Sequence, residues 1–84
     1  MLNISIGISR ETVKALEATL RQAYRAGDAK LVKRVTALLG ISRHESARWM
    51  AVELGCSVAS IYLWLKHLLY EGPDGLKVKW HGGR

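Results

Sequence analysis

The stretch that decides the fold is residues 47–66, ARWMAVELGCSVASIYLWLK. Gly55 stands where one helix would end, because glycine readily adopts the left-handed conformation common at helix C-termini. Ser57 can then cap a second helix, since its hydroxyl can accept a hydrogen bond from a free backbone N–H of the first turn. Ala51 is small where the two helices would cross, so their backbones can approach closely. The stretch therefore predicts two short helices around a tight turn.

The apolar side chains of this stretch agree with that arrangement. Met50, Leu54, Ile61 and Trp64 fall where the two helices would bury apolar surface against each other and the rest of the domain. The small residue, the glycine, the cap and the apolar positions all agree with one alignment of the two helices. This combination is typical of a helix-turn-helix, which places its second helix in the major groove of DNA. The alternative is an ordinary helical hairpin with a glycine stop.

Two further helices are predicted before this stretch. The first would begin after the cap Ser9 and end at Gly27, and the second would begin after the cap Asp28. Their apolar positions recur at helical spacing: Val13, Leu16, Leu20 and Tyr24 in the first, and Leu31, Val32, Val35, Leu38 and Leu39 in the second.

Two alternatives stay open for the start of the third helix. Either Gly40 stops the second helix and Ser42 forms a capping box with Glu45, or the second helix continues to about Arg43 and Ser46 is the cap.

The fourth helix is predicted from Ser57 to about Glu71. Its expected core positions are Ile61, Trp64, Leu65, Leu68 and Leu69. Residues 72–75, GPDG, indicate a turn. Beyond it, Leu76, Val78 and Trp80 alternate with Lys77 and Lys79, which suggests a short extended segment or rudimentary wing, with a frayed tail as the alternative.

The expected architecture is all-α, a single small bundle of about four helices. At 84 residues the chain suffices for one domain. We divide it into an N-terminal extension (1–8), a helical body (9–71), and a turn with a basic tail (72–84).

The charge distribution favours a polyanionic partner. The chain has 13 Lys and Arg against 7 Asp and Glu, a net charge of +6. Residues 21–48 contain seven Lys and Arg but only two acidic residues, Asp28 and Glu45. Such an excess suits nucleic acid, because each neutralised phosphate releases condensed counterions.

Other classes of function are disfavoured. No apolar run approaches the ~20 residues that a membrane span needs, and the first residues lack the pattern of a secretory signal. Cys56 is a single cysteine, which suits a reducing cytoplasm and a core position. His44, His67 and His81 lie far apart, with no carboxylate or cysteine at metal-ligand spacing. We expect a cytoplasmic protein that is not an enzyme, with no metal, cofactor or small-molecule substrate.

Four segments also carry a family resemblance: residues 25–39 (RAGDAKLVKRVTALL), 50–57 (MAVELGCS), 61–66 (IYLWLK) and 71–76 (EGPDGL). In this order the chain, from about Ser9 to Arg84, resembles the N-terminal DNA-binding domain of bacterial insertion-sequence transposases of the mariner-like superfamily. The resemblance implies binding to the terminal inverted repeats of a mobile element. It also implies that the final Gly-Gly-Arg begins a linker able to enter the minor groove.

Two features depart from that family. The family's separate catalytic domain uses three carboxylates, whereas the only aspartates here are Asp28 and Asp74. We therefore expect a fragment, a truncated reading frame or a stand-alone binder. The recognition helix also begins with Ser-Val-Ala-Ser (57–60) where family members often have basic or amide side chains, so strong bidentate base contacts are lacking.

The predicted partner is double-stranded DNA, held mainly through phosphates with weak base discrimination. The predicted contact residues are Arg43, Arg48, Ser57, Val58, Ala59, Ser60, Tyr62, Leu63, Lys66, Lys77, Lys79 and Arg84.

The alternatives are a stand-alone transcriptional regulator that uses the same fold, and a protein-interaction or dimerisation module. Trp49 and Val52 lie off the main apolar stripe of the third helix, and Val58, Leu63 and Tyr70 are candidates for exposure on the fourth. A contiguous patch of that kind would mark a partner surface. A homodimer is compatible with DNA binding, because paired helix-turn-helix units read repeated half-sites.

Overall fold

The computed structural model describes residues 8–72 and folds them into four α-helices. They are α1 (Arg10–Ala26), α2 (Ala29–Ser42), α3 (Ala47–Leu54) and α4 (Val58–Glu71). No β-strand occurs within residues 8–72. The predicted all-α bundle of about four helices is therefore confirmed, while the suggested wing lies outside the described residues.

Each helix begins at a polar cap, as the sequence predicted for α1, α2 and α4, whereas for α3 it left Ser46 as one of two alternatives. In all four, the side-chain oxygen accepts a hydrogen bond from the backbone N–H three residues on, which satisfies one of the free donors of the first turn. The four pairs are Ser9 with Thr12, Asp28 with Leu31, Ser46 with Trp49, and Ser57 with Ser60.

The structure distinguishes between the two starts left open for α3. The second helix continues through Gly40, and Ser46 is the cap of α3. Ser42 forms no capping box, because its hydroxyl donates to the carbonyl of Leu39 at 2.6 Å. Gly40 instead permits close packing, since a Cβ there would lie 2.5 Å from Sδ of Met50 on α3.

The α2–α3 connection is closed by a Schellman motif with a histidine at its left-handed position. His44 has φ +70°. Its N–H donates to the carbonyl of Ile41, and the N–H of Glu45 donates to that of Gly40, both at 3.0 Å. These are the two bonds that define the motif, although glycine is the residue usually found where His44 lies.

Helix α2 is the centre of the bundle. It packs against α1, α3 and α4, whereas α1 approaches closely only α2. The side chains that α2 buries belong to two apolar clusters. The first joins α1, α2 and α4 and contains Leu16, Ala23, Leu31, Val35, Leu38, Leu39, Leu65 and Leu68. The second joins α2, α3 and α4 and contains Ala37, Met50, Ala51 and Ile61.

Two expected core positions are wrong. Tyr24 is 66% exposed and Leu69 is 61% exposed. On α1 the buried positions near Tyr24 are the small residues Thr19 and Ala23, so the larger tyrosine one residue further on is turned outward. On α4 the buried stripe ends at Leu68, and the next residue is rotated by about 100° away from it.

Candidate nucleic-acid interface

Three residues, Gly55, Cys56 and Ser57, connect α3 to α4. Gly55 takes the left-handed conformation at φ +67° and ψ 40°. The N–H of Cys56 then donates to the carbonyl of Ala51 at 3.0 Å. The cysteine is half-buried and packs against the second apolar cluster. These contacts hold the start of α4 in a defined position relative to α3.

Helix α4 buries one side and exposes the other. Ile61, Leu65 and Leu68 are buried, at spacings of four and three residues. The predicted contact residues Ala59, Tyr62, Leu63 and Lys66 are exposed on the remaining surface.

The first turn of α4 is less open than the sequence suggested. Ser57 is exposed, but Val58 and Ser60 are half-buried, and Val58 packs against the second cluster. The hydroxyl of Ser57 donates to that of Ser60 at 2.9 Å and accepts the N–H of Ser60 at 3.0 Å.

The predicted cations differ in where they lie. Arg43 and Arg48 are exposed at the end of α2 and in the first turn of α3, respectively. Lys66 is exposed on α4 and is the only lysine or arginine of that helix. Lys77, Lys79 and Arg84 lie outside the described residues.

The structure also brings together cations that the predicted interface omitted. A surface cleft of about 330 Å³ is lined by Ala29, Lys30, Lys33, Arg34, Cys56 and Trp64. The guanidinium of Arg34 lies over the ring of Trp64, 5.8 Å from its centroid, within range of a cation–π interaction. The spacing of residues 30, 33 and 34 places three cations on one helical face, and this was the sequence signal that could have indicated them.

Within residues 8–72, no group of three or more His, Cys, Asp or Glu side chains is arranged to hold a metal ion. None of the four helices has both the length and the apolar character that a bilayer span requires. His67 and Glu71 lie one turn apart on α4, with Nδ1 and Oε2 at 3.9 Å.

Comparison with known protein families, with characterised proteins and with solved structures finds no match for this chain. The function is therefore inferred from the residues and their arrangement.

Proposed function

We propose that this chain binds double-stranded DNA, with α3, the three-residue turn and α4 acting as a helix-turn-helix. The observation that carries the proposal is the position of α4. It begins at a short, hydrogen-bonded turn, buries one side in the bundle and leaves Tyr62, Leu63 and Lys66 exposed. A helix held in this way can lie in the major groove of B-DNA, which is wide enough to admit it.

The exposed side chains of α4 favour weak reading of the base sequence. Ala59 can contact a thymine methyl group, whereas the first turn offers no Arg, Asn or Gln for a bidentate contact to a purine. Affinity would then depend mainly on phosphates, in keeping with the net charge of +6.

The resemblance of residues 25–39, 50–57, 61–66 and 71–76 to insertion-sequence transposases supports a more specific target, the terminal inverted repeats of a mobile element. The proposed role is binding alone, and we assign no catalytic step to this domain.

The proposal is tested by the salt dependence of binding. Fluorescence anisotropy of a labelled 20-base-pair duplex between 50 and 200 mM salt should give a log–log slope of about −4 to −5, as expected for about five phosphate contacts. Binding that stays flat across this range would overturn the proposal.

Charge reversal then tests the location of the interface. The double variant R48E/K66E should weaken binding about tenfold or more, because two phosphate contacts are lost. The matched control is K14E/R21E, whose side chains are exposed on the side of α1 opposite the buried Leu16 and Ala23. Equal losses in the two variants would contradict an interface on α3 and α4, and circular dichroism checks that both variants keep their helices.

A protein-interaction module is the second candidate, supported by the exposed apolar side chains of α3. Trp49 is 52% exposed and Val52 is 72% exposed. Trp49 also lines a depression of about 380 Å³ that includes Leu20, Leu39 and Leu54. If this surface joins two copies, light scattering should give a dimer for the wild-type chain and a monomer for W49A/V52A. A wild-type monomer at all concentrations would rule out the homodimer.

A further inference from the structure

Helix α4 has too few cations to hold a DNA backbone by itself. Lys66 is its only lysine or arginine, and α3 contributes only Arg48, with Glu53 on the same short helix. If α4 lies in a major groove, an element packed beside it can supply phosphate contacts in addition to those predicted for Arg43 and the basic tail. The described cations outside α3 and α4 lie mostly on α1 and α2.

The cleft between α2 and α4 supplies such an element. Lys30, Lys33 and Arg34 lie on the first two turns of α2 and form one wall. The opposite wall consists of Cys56 from the turn and Trp64 from α4. Because Cys56 directly precedes the cap of α4, the cleft lies beside the end of α4 that would enter the groove first.

The two lysine charges in this cleft are available to an external anion. Lys30 and Lys33 are exposed, and neither forms an ion pair with any carboxylate among residues 8–72. The nearest acidic residue along the chain, Asp28, uses its carboxylate to accept the N–H of Leu31 at 3.1 Å. Arg34 is held at the cleft wall by its position over Trp64.

We infer that this cleft binds a backbone phosphate of the duplex whose major groove α4 enters. Lys30 and Lys33 neutralise the phosphate, and the indole of Trp64 forms the apolar wall of the cleft. The inference rests on the proposed function and deepens it, because it adds contacts from α2 to a site predicted on α3 and α4.

The number of counterions released on binding provides the test. In the full chain, K30Q/K33Q should reduce the magnitude of the log–log salt slope by about 0.9, since the one phosphate that the two lysines neutralise is no longer bound. At 100 mM salt the affinity should fall by about five- to tenfold. K30R/K33R keeps the charges and should retain the wild-type slope. The control K14Q/R21Q removes the same charge from the outer side of α1 and should change the slope by less than about 0.5.

The failure of this inference can be told apart from the failure of the proposed function. If the wild-type chain binds no duplex, both are overturned. If R48E/K66E weakens binding but K30Q/K33Q behaves like the α1 control, only the cleft is overturned. Unchanged circular dichroism and thermal unfolding of K30Q/K33Q would exclude misfolding, as expected for two exposed side chains.

Nuclear magnetic resonance gives an independent readout of the same contact. Titrating the labelled duplex into the isotope-labelled chain should shift the indole N–H of Trp64 and the amides of Lys30 and Lys33 at near-equimolar duplex. Inorganic phosphate should produce these shifts only at far higher concentration. Saturation by micromolar phosphate, with no response to the duplex, would contradict a DNA contact.

Discussion

Gly55 has a backbone conformation that other residues adopt only at a cost. Its φ is +67°, and a Cβ built there would meet nothing within 4 Å. A side chain at this position is therefore strained by the backbone alone, and the surrounding space is open to it.

We expect G55A to lower the free energy of unfolding by about 1 kcal/mol. The left-handed conformation costs alanine about 1–2 kcal/mol, and the reduced freedom of the unfolded chain offsets part of this cost. Urea denaturation of both chains measures the difference. G55N is the matched control, because asparagine tolerates this conformation better than alanine and should lose less. A larger loss in G55N would show that space, and not backbone conformation, limits this position.

Residue chemistry explains what the sequence predicted well and what it left open. The caps Ser9, Asp28 and Ser57 were predictable because serine and aspartate just before a helical apolar pattern favour capping. In the structure, each side chain accepts the N–H three residues on. The end of α2 was ambiguous because Gly40 looks like a stop signal, while the left-handed residue is His44. The glycine at position 40 allows α3 to pack closely against α2, and no local sequence pattern indicates that role.

At the scale of elements, α4 combines a stability role and a proposed binding role at Ser57. The Ser57 hydroxyl caps α4 and lies at the end of this helix nearest the proposed DNA. Two substitutions at this one position separate the roles.

S57A should lower the free energy of unfolding by about 1 kcal/mol because the cap is lost. It should weaken duplex binding by no more than about threefold, since the Ser57 hydroxyl is already hydrogen-bonded to Ser60 and adds only one uncharged contact to the DNA. S57D should keep the stability, since aspartate is a good cap and its charge suits a helix N-terminus. Its carboxylate should nevertheless weaken duplex binding about tenfold by repelling phosphates. Thermal unfolding and anisotropy measure the two effects. Equal affinity of S57D and wild type would remove the start of α4 from the interface.

The exposed side of α4 was predictable from helical spacing, because one buried stripe defines the opposite surface. The cleft was not predictable in full. The spacing of Lys30, Lys33 and Arg34 indicates a basic face on α2, but its second wall comes from Cys56 and Trp64, which are distant in sequence. Only the packing of α2 against α4 brings these walls together.

At the scale of the whole molecule, stability depends on the central helix. Leu38 of α2 is fully buried in the first apolar cluster, while Leu69 of α4 is mostly exposed. The same leucine-to-alanine change therefore has different consequences at the two positions.

L38A should lower the free energy of unfolding by about 2–5 kcal/mol, through lost apolar burial and the cavity left behind. This is a large fraction of the 5–15 kcal/mol typical of a domain. L69A should change it by no more than about 0.5 kcal/mol. Denaturant titrations compare the two, and similar losses would mean that Leu69 is covered in solution.

The short helix α3 has a consequence for how the domain opens. It buries only Met50 and Ala51, whereas α1 places Leu16 and Ala23 in a cluster shared with α2 and α4. Regions with fewer buried contacts exchange their amide hydrogens through partial opening, below the free energy of global unfolding. Helix α3 can thus come away transiently while the remaining three helices stay folded, so its amide protons should be the first of the helical ones to exchange with deuterium.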